Sequence, residues 1–180
     1  MTNQLSEEKQ KTVVLVGLMG AGKSSVGRIL AARLGLPFID SDDEVEKAAG
    51  CSIEDIFEIY GEPAFRDVEE RVIERLLAGP PVILASGGGA YMNPRPRERI
   101  AEHGVSIWLK ADLGTLEKRT RRRAAGRPLL QGTDPSAKLK QLISERYPVY
   151  EQSDITIESL DETPEKTADR IIEKLTDGTE

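Results

Sequence analysis

The chain has 180 residues, 38% of them hydrophobic and 31% charged, which suits one well-buried domain and is too short for two ordinary ones. Its formal net charge of −6 argues against general affinity for nucleic acid or anionic membranes. No apolar run approaches the ~20 residues of a membrane span, and the lone cysteine, Cys51, excludes an internal disulfide and fits a reducing cytosol. Met1 to Lys11 is polar and lacks the hydrophobic stretch of a secretory signal; a flexible tail is expected there.

Thr12 to Val16 is a continuous apolar, β-branched run, the pattern of a strand buried on both faces. Gly17-Leu18-Met19-Gly20-Ala21-Gly22-Lys23-Ser24-Ser25 follows and matches the phosphate-binding pattern G-x-x-x-x-G-K-[ST] in full. Val26, Ile29, Leu30 and Leu34 then recur at helical spacing, so the unit reads as strand, glycine loop, helix. Such a loop turns backbone N–H groups onto phosphate oxygens, and the helix N-terminus adds partial positive charge. Lys23 is expected to reach the outer phosphates, and the Ser24 hydroxyl to ligate Mg²⁺.

Gly35-Leu36-Pro37 ends the first helix, and Phe38-Ile39 starts a short strand running into Asp40-Ser41-Asp42-Asp43-Glu44. Residues two apart in an extended segment point the same way, so Asp40 and Asp42 should project together beside the phosphate loop. Helix capping competes as an explanation, and accounts better for Asp43 and Glu44 than for the pair. Val45 to Tyr60 reads as two short helices broken at Gly50, with Ile53, Ile56, Phe57 and Tyr60 as a core stripe. Pro63 opens a longer helix whose buried face is Phe65, Val68, Val72, Leu76 and Leu77. Arg66 falls in its first turn, where the dipole disfavours a cation; an anion ligand and a plain solvated charge are both open there.

Val82 to Ala85 is a third buried strand, ending in Ser86-Gly87-Gly88-Gly89. Three glycines at that position suggest a group approaching the backbone closely. Pro94 to His103 is a charged helix, and its terminal histidine has no acid or nucleophile paired with it in sequence. Val105 to Leu109 is a fourth strand, in which Trp108 is expected to pack rather than stack on a base. A helix begins at Leu113 and leads into Lys118-Arg119-Thr120-Arg121-Arg122-Arg123, then Gly126-Arg127-Pro128. This block could be a solvated face, a nucleic-acid patch or a lid; its shortness, its lack of aromatics and the following Gly/Pro segment favour a lid over about 121–133. Pro135 to Tyr147 is helical, with Arg146 near an end that suits any cation. Ile155 to Ile157 is a fifth strand, and Thr163-Pro164 starts the last helix.

Strands alternating with helices predict an α/β fold: a parallel sheet covered on both faces, in one domain over 12–176. The residues resemble one family from about Val13 to Ile172: shikimate kinase. The resemblance rests on GLMGAGKSS, DSD at Asp40 to Asp42, GE-x-x-FR-x-x-E ending at Glu69, SGGGA at Gly87 to Gly89, RPLL at Arg127, and R-x-P-x-Y at Arg146 to Tyr150. It implies a three-layer P-loop kinase fold with a five-stranded sheet of order 2-3-1-4-5 and a mobile lid. It also implies transfer of the ATP γ-phosphoryl group to the 3-hydroxyl of shikimate, a step toward chorismate and the aromatic amino acids. The resemblance assigns shikimate to Asp42, Arg66, Gly88 and Arg146, with the neighbouring Gly87 and Gly89. It assigns Asp40 to the magnesium shell and Arg127 to ATP, the nucleotide also being held by Gly20, Ala21, Gly22, Lys23, Ser24 and Ser25. The adenine-side arginine is Arg119 or Arg121, because the basic block is about one residue longer than the family's pattern, and Glu158 to Thr163 shows no clear match to the second adenine contact.

The chemistry follows from these parts. Phosphoryl transfer needs positioning and charge neutralisation more than covalent catalysis. Lys23 and Mg²⁺ would neutralise developing charge, Asp42 would orient the attacking hydroxyl and take its proton, and Arg66 and Arg146 would clamp the substrate carboxylate. A cytosolic monomer acting on shikimate and ATP, with no nucleic-acid or membrane partner, is expected. Another small-molecule or nucleotide kinase on this fold, or a non-catalytic ATP-binding switch, remains the alternative. A nucleotide acceptor would want stacking groups, yet aromatics are 4% of the chain.

Overall fold

The computed structural model describes residues 11–122 and 134–177. Most of the expected lid, with Arg127, and the expected tail lie outside those residues. In chain order the elements are β1 (Thr12–Val16), α1 (Lys23–Leu34), β2 (Phe38–Asp40), α2 (Ser41–Ala49), the short α3 (Ile53–Asp55) continued by a π-helical turn (Ile56–Tyr60), α4 (Glu62–Ala78), β3 (Ile83–Ala85), a 3₁₀ turn (Ala90–Met92), α5 (Pro94–His103), β4 (Gly104–Lys110), α6 (Leu113–Arg122), α7 (Pro135–Tyr150), β5 (Ile155–Glu158) and α8 (Pro164–Asp177). The five strands are all parallel, in the order β2-β3-β1-β4-β5. Val14 of the central strand pairs with Leu84 on one side and Ser106 on the other, so β1 is buried along its whole length. That is why it reads as an unbroken apolar run.

The main core joins Val14, Leu15, Ile83, Leu84, Ile107 and Leu109 of the sheet to Leu30, Ile73, Ile100, Leu116, Leu142 and Ile171 of the helices. Gly27 lets α1 settle onto the sheet, since a Cβ there would lie 3.0 Å from Phe38 Cδ2 and 3.1 Å from Leu15 Cδ1. Trp108 is 1% exposed and meets Tyr147 and Tyr150 edge-on, the packing role expected of it. His103 is exposed at the end of α5, with Glu102 3.6 Å away.

Two expectations need correction. Of the stripe Ile53, Ile56, Phe57 and Tyr60, only Ile56 is core; Ile53 is half-buried, and Phe57 and Tyr60 are 37% and 67% exposed. The Gly61 N–H donates to the Ile56 carbonyl five residues back, so this segment winds in a wider turn and the 3.6-residue stripe rotates off the core. α7 also passes through Pro148 to Tyr150 rather than ending at Tyr147. A proline in a helix removes one backbone bond, but Tyr150 beyond it is fully buried and anchored, and that tertiary contact holds the last turn.

Candidate active site

The phosphate loop joins β1 to α1 at the C-terminal edge of the sheet. Gly20 and Gly22 have φ of 84° and 97°, a left-handed conformation that a side chain disfavours. Gly22 caps α1, so Lys23, Ser24 and Ser25 form the first turn of a helix carrying no acidic residue there. An anion therefore meets the positive end of the helix dipole without local competition. Lys23 Nζ donates to the Gly17 and Leu18 carbonyls at 2.7 and 3.1 Å, which holds the ammonium over the loop.

Arg119 braces the loop's outer side. Its Nη1 donates to the carbonyls of Gly20 and Ala21, both at 3.2 Å, and to Ser159 Oγ at 2.8 Å; its Nη2 donates to the Leu160 carbonyl at 2.6 Å. Ser159 Oγ in turn donates to Ala21 O at 2.8 Å. Of the two arginines left open by the sequence, Arg119 stands beside the phosphate loop, whereas Arg121 is exposed. The segment after β5, which carried no legible motif, is the other half of this brace.

The end of β2 brings Asp40 against Ser24, with Ser24 Oγ 3.4 Å from Asp40 Oδ2. The other Asp40 oxygen accepts the Asp42 N–H at 2.9 Å and caps α2, so the side chain that faces Ser24 is also a helix cap. Among the described residues no cluster of three or more His, Cys, Asp or Glu could hold a metal. Ser24 and Asp40 instead offer two hard oxygen donors beside the loop, which fits an ion that keeps several waters and shares substrate phosphates. Asp42 is open to solvent yet crowded by protein within the cleft. That desolvation is the largest cause pushing its pKa up, Asp40 adds to it, and Lys23 pulls against both.

The glycine triplet explains itself in space. A Cβ on Gly87 would lie 3.0 Å from both Asp42 Oδ1 and Glu69 Oε2. On Gly88 it would lie 2.8 Å from Arg146 Nη1, 3.3 Å from the Gly17 carbonyl and 3.4 Å from the Tyr150 hydroxyl. On Gly89 it would overlap the Arg66 guanidinium, 2.7 Å from Cζ. The glycines are thus flat seats for charged side chains: Asp42 and Glu69 at Gly87, Arg146 at Gly88 and Arg66 at Gly89. Ser41, fully buried, fixes the triplet's start by accepting the Gly87 N–H at 2.9 Å.

Arg66 reaches Gly89 because Glu69, 2% exposed, accepts from its Nη1 at 2.8 Å, while Glu62 lies 3.4 Å from Nη2. Burial raises the Glu69 pKa, and the Arg66 charge and hydrogen bond oppose that shift. The pair leaves Arg66 half-buried, with its cation aimed at the triplet. Arg146, eighty residues later, arrives at the same triplet from α7. Lys23, Asp40, Asp42, Arg66, Gly87 to Gly89 and Arg146 are therefore brought to one edge of the sheet; Arg127 lies outside the described residues. Glu69, Tyr150 and Ser41 complete the arrangement and were not assigned from sequence.

Comparison with known proteins points to one family. A family model described as "Shikimate kinase" matches residues 19–176. The chain is 57% identical over 171 residues to the shikimate kinase of Paramagnetospirillum magneticum, covering 95% of this chain and 87% of that one. It is 53% identical to the shikimate kinase of Rhodopseudomonas palustris, covering 93% and 82%. Among solved structures, shikimate kinase from Acinetobacter baumannii in complex with shikimate superposes with a TM-score of 0.90 at 37% identity, over 96% of each chain.

Proposed function

The chain belongs to the shikimate kinase family, and we propose from that premise that it transfers the γ-phosphoryl group of ATP to the 3-hydroxyl of shikimate, with Asp42 as the base and Arg66 and Arg146 as the carboxylate clamp. The observation that carries the assignment of roles is Gly88. One residue lies against both Arg146 and the Gly17 carbonyl of the phosphate loop, so an acceptor held by the arginine sits next to the transferred phosphate.

In this reading the hydroxyl oxygen bonds to the γ-phosphorus, the bond to the β–γ bridging oxygen breaks, and the hydroxyl proton passes to Asp42. A carboxylate whose pKa is raised by burial is a stronger base than one in water, which suits that task. The loop N–H groups and Lys23 hold the phosphates, and Arg66 and Arg146 orient the acid by charge-assisted hydrogen bonds. Ser24 and Asp40 would hold Mg²⁺, which supplies charge neutralisation at the phosphate oxygens when bound. Arg127 is assigned to ATP on family resemblance. A monomer in the reducing cytosol belongs to the same reading, with Cys51 as a free thiol.

A coupled ADP-release assay with and without shikimate tests the proposal. ADP release that depends on shikimate is expected; release indifferent to shikimate would refute the proposal, and ATP binding with no ADP release in either condition would favour the non-catalytic switch.

A further inference from the structure

Tyr150 is fully buried at the end of α7. Its ring is held by aromatic packing, with centroids 5.9 Å from Trp108, 6.2 Å from Tyr147 and 6.3 Å from Tyr91. A phenylalanine would fill the same space, so packing does not account for the hydroxyl. That oxygen donates to the Gly88 carbonyl. It also stands over the same glycine as the Arg146 guanidinium: a Cβ on Gly88 would lie 3.4 Å from the hydroxyl and 2.8 Å from Arg146 Nη1. Arg146 is four residues earlier on the same helix, so one face of α7 presents guanidinium and phenol together.

We propose that Tyr150 is a positioning residue for the acceptor: its hydroxyl ties Arg146 to the backbone of Gly88 and fixes where the guanidinium meets the substrate carboxylate. The inference rests on the assignment of Arg146 to shikimate made above. A long arginine side chain has considerable rotamer entropy to lose on being held. Arg66 is held by Glu69, a carboxylate. Over Gly88 the neighbour of Arg146 is a neutral hydroxyl, and the Glu69 carboxylate, already bonded to Arg66, acts on Arg146 only through space, which leaves charge for an incoming anion. Burial raises the phenol pKa, so the proton donated to Gly88 stays in place through the neutral range.

The test compares Tyr150→Phe with Tyr147→Phe. Tyr147 lies on the same helix against the same tryptophan and donates to the Ala111 carbonyl, away from the triplet. Both variants lose one hydrogen-bonded hydroxyl, so a purely structural role lowers the Tm of both and leaves their KM values alike. The proposal expects Tyr150→Phe to raise KM for shikimate about tenfold, with KM for ATP within about twofold. Tyr147→Phe should leave both close to wild type. Equal KM values for shikimate in the two variants overturn it. A wild type that shows no shikimate-dependent turnover would sink the functional assignment instead, which separates the two failures.

A measurement without Tyr150→Phe covers poor folding of that variant. The chain has four tyrosines, so 3-fluorotyrosine-labelled protein can be assigned through Tyr60→Phe, Tyr91→Phe and Tyr147→Phe. The ¹⁹F resonance of Tyr150 should shift on saturation with shikimate. A resonance unmoved by bound shikimate overturns the proposal.

Discussion

Gly89→Ala separates a packing role for the glycine triplet from a functional one. Gly89 has φ −84° and ψ −16°, an ordinary right-handed conformation that alanine adopts without strain. The backbone therefore gains from the substitution, by about 0.4–1 kcal/mol through the unfolded chain. The new methyl, however, would sit 2.7 Å from Arg66 Cζ, where carbon atoms prefer ~3.5–4.0 Å. The guanidinium must retreat by about 1 Å, and a displacement of that size in a substrate-orienting group commonly costs ~10² in rate. Retreat also stretches the 2.8 Å bond to the buried Glu69, which offsets the backbone gain. The expected outcome is a near-normal melting temperature, a fall of ~10² in kcat/KM for shikimate, and little change in KM for ATP. Gly114→Ala is the control, because its Cβ would meet only Asp112 Oδ1 at 3.5 Å. Retention of wild-type kcat/KM by folded Gly89→Ala would refute the claim that this close approach sets the position of Arg66.

Lys23→Ala should lose ~10²–10³ in kcat while its thermal melt stays cooperative, since it removes one preorganised charge at the phosphates; a folded variant with normal turnover would count against the phosphate-loop assignment. Asp42→Asn should abolish turnover yet raise the Tm at neutral pH. Burial raises the folded pKa of Asp42, so its contribution to stability is present at low pH and lost as pH rises through the folded value; the asparagine advantage should shrink toward zero near the bottom of the carboxylate range, and melts at the two pH extremes read it. Arg66→Lys and Arg146→Lys should each raise KM for shikimate sharply with KM for ATP much less affected, because an ammonium cannot make the bidentate bond. An amide analogue of shikimate should lose little further on either substitution, and an equal loss on acid and amide would show that the arginines do not read the carboxylate.

The backbone plan was legible because its signals are local. The run Thr12 to Val16, the glycine loop and the strand-ending triplet each announce themselves within a few residues, and the structure joins them in one sheet. Asp40 and Asp42 do stand together, but not by the expected two-residue strand periodicity: the strand ends at Asp40, which caps α2, and Asp42 lies in the first turn of that helix. Arg66 and Arg146 did not stand out by position, although a signal was present. On α4, Glu69 lies between Phe65 and Val72 on the inward face, and a carboxylate on a core stripe demands a buried partner. On α7, Leu139, Leu142, Arg146 and Tyr150 share one face, so the arginine points inward with the leucines. The stripe over Ile53 to Tyr60 misled because a π-turn changes the angular step without any change in residue type. The brace of Arg119 on the Ser159 hydroxyl and the Leu160 carbonyl spans about forty residues, a long-range pairing that composition does not reveal.

The order of charges along the triplet carries the argument one step further. Gly87 seats Asp42 and Glu69, Gly88 seats Arg146, and Gly89 seats Arg66, so three consecutive residues run from two carboxylates to two guanidinium groups. Glu69 is spent on Arg66, which leaves Asp42 as the carboxylate free to address an acceptor at one end and at least one uncompensated cation at the other. A small molecule with a hydroxyl at one end and an anion at the other matches that gradient, and reversing it would place its anion on Asp42. Under the proposed function, the gradient would select orientation as well as charge. In that reading orientation matters because phosphoryl transfer needs the attacking oxygen in line with the leaving group. A wall of alanines could not do this: each added methyl would push one member of the charge series out of register while leaving the strand beneath it intact.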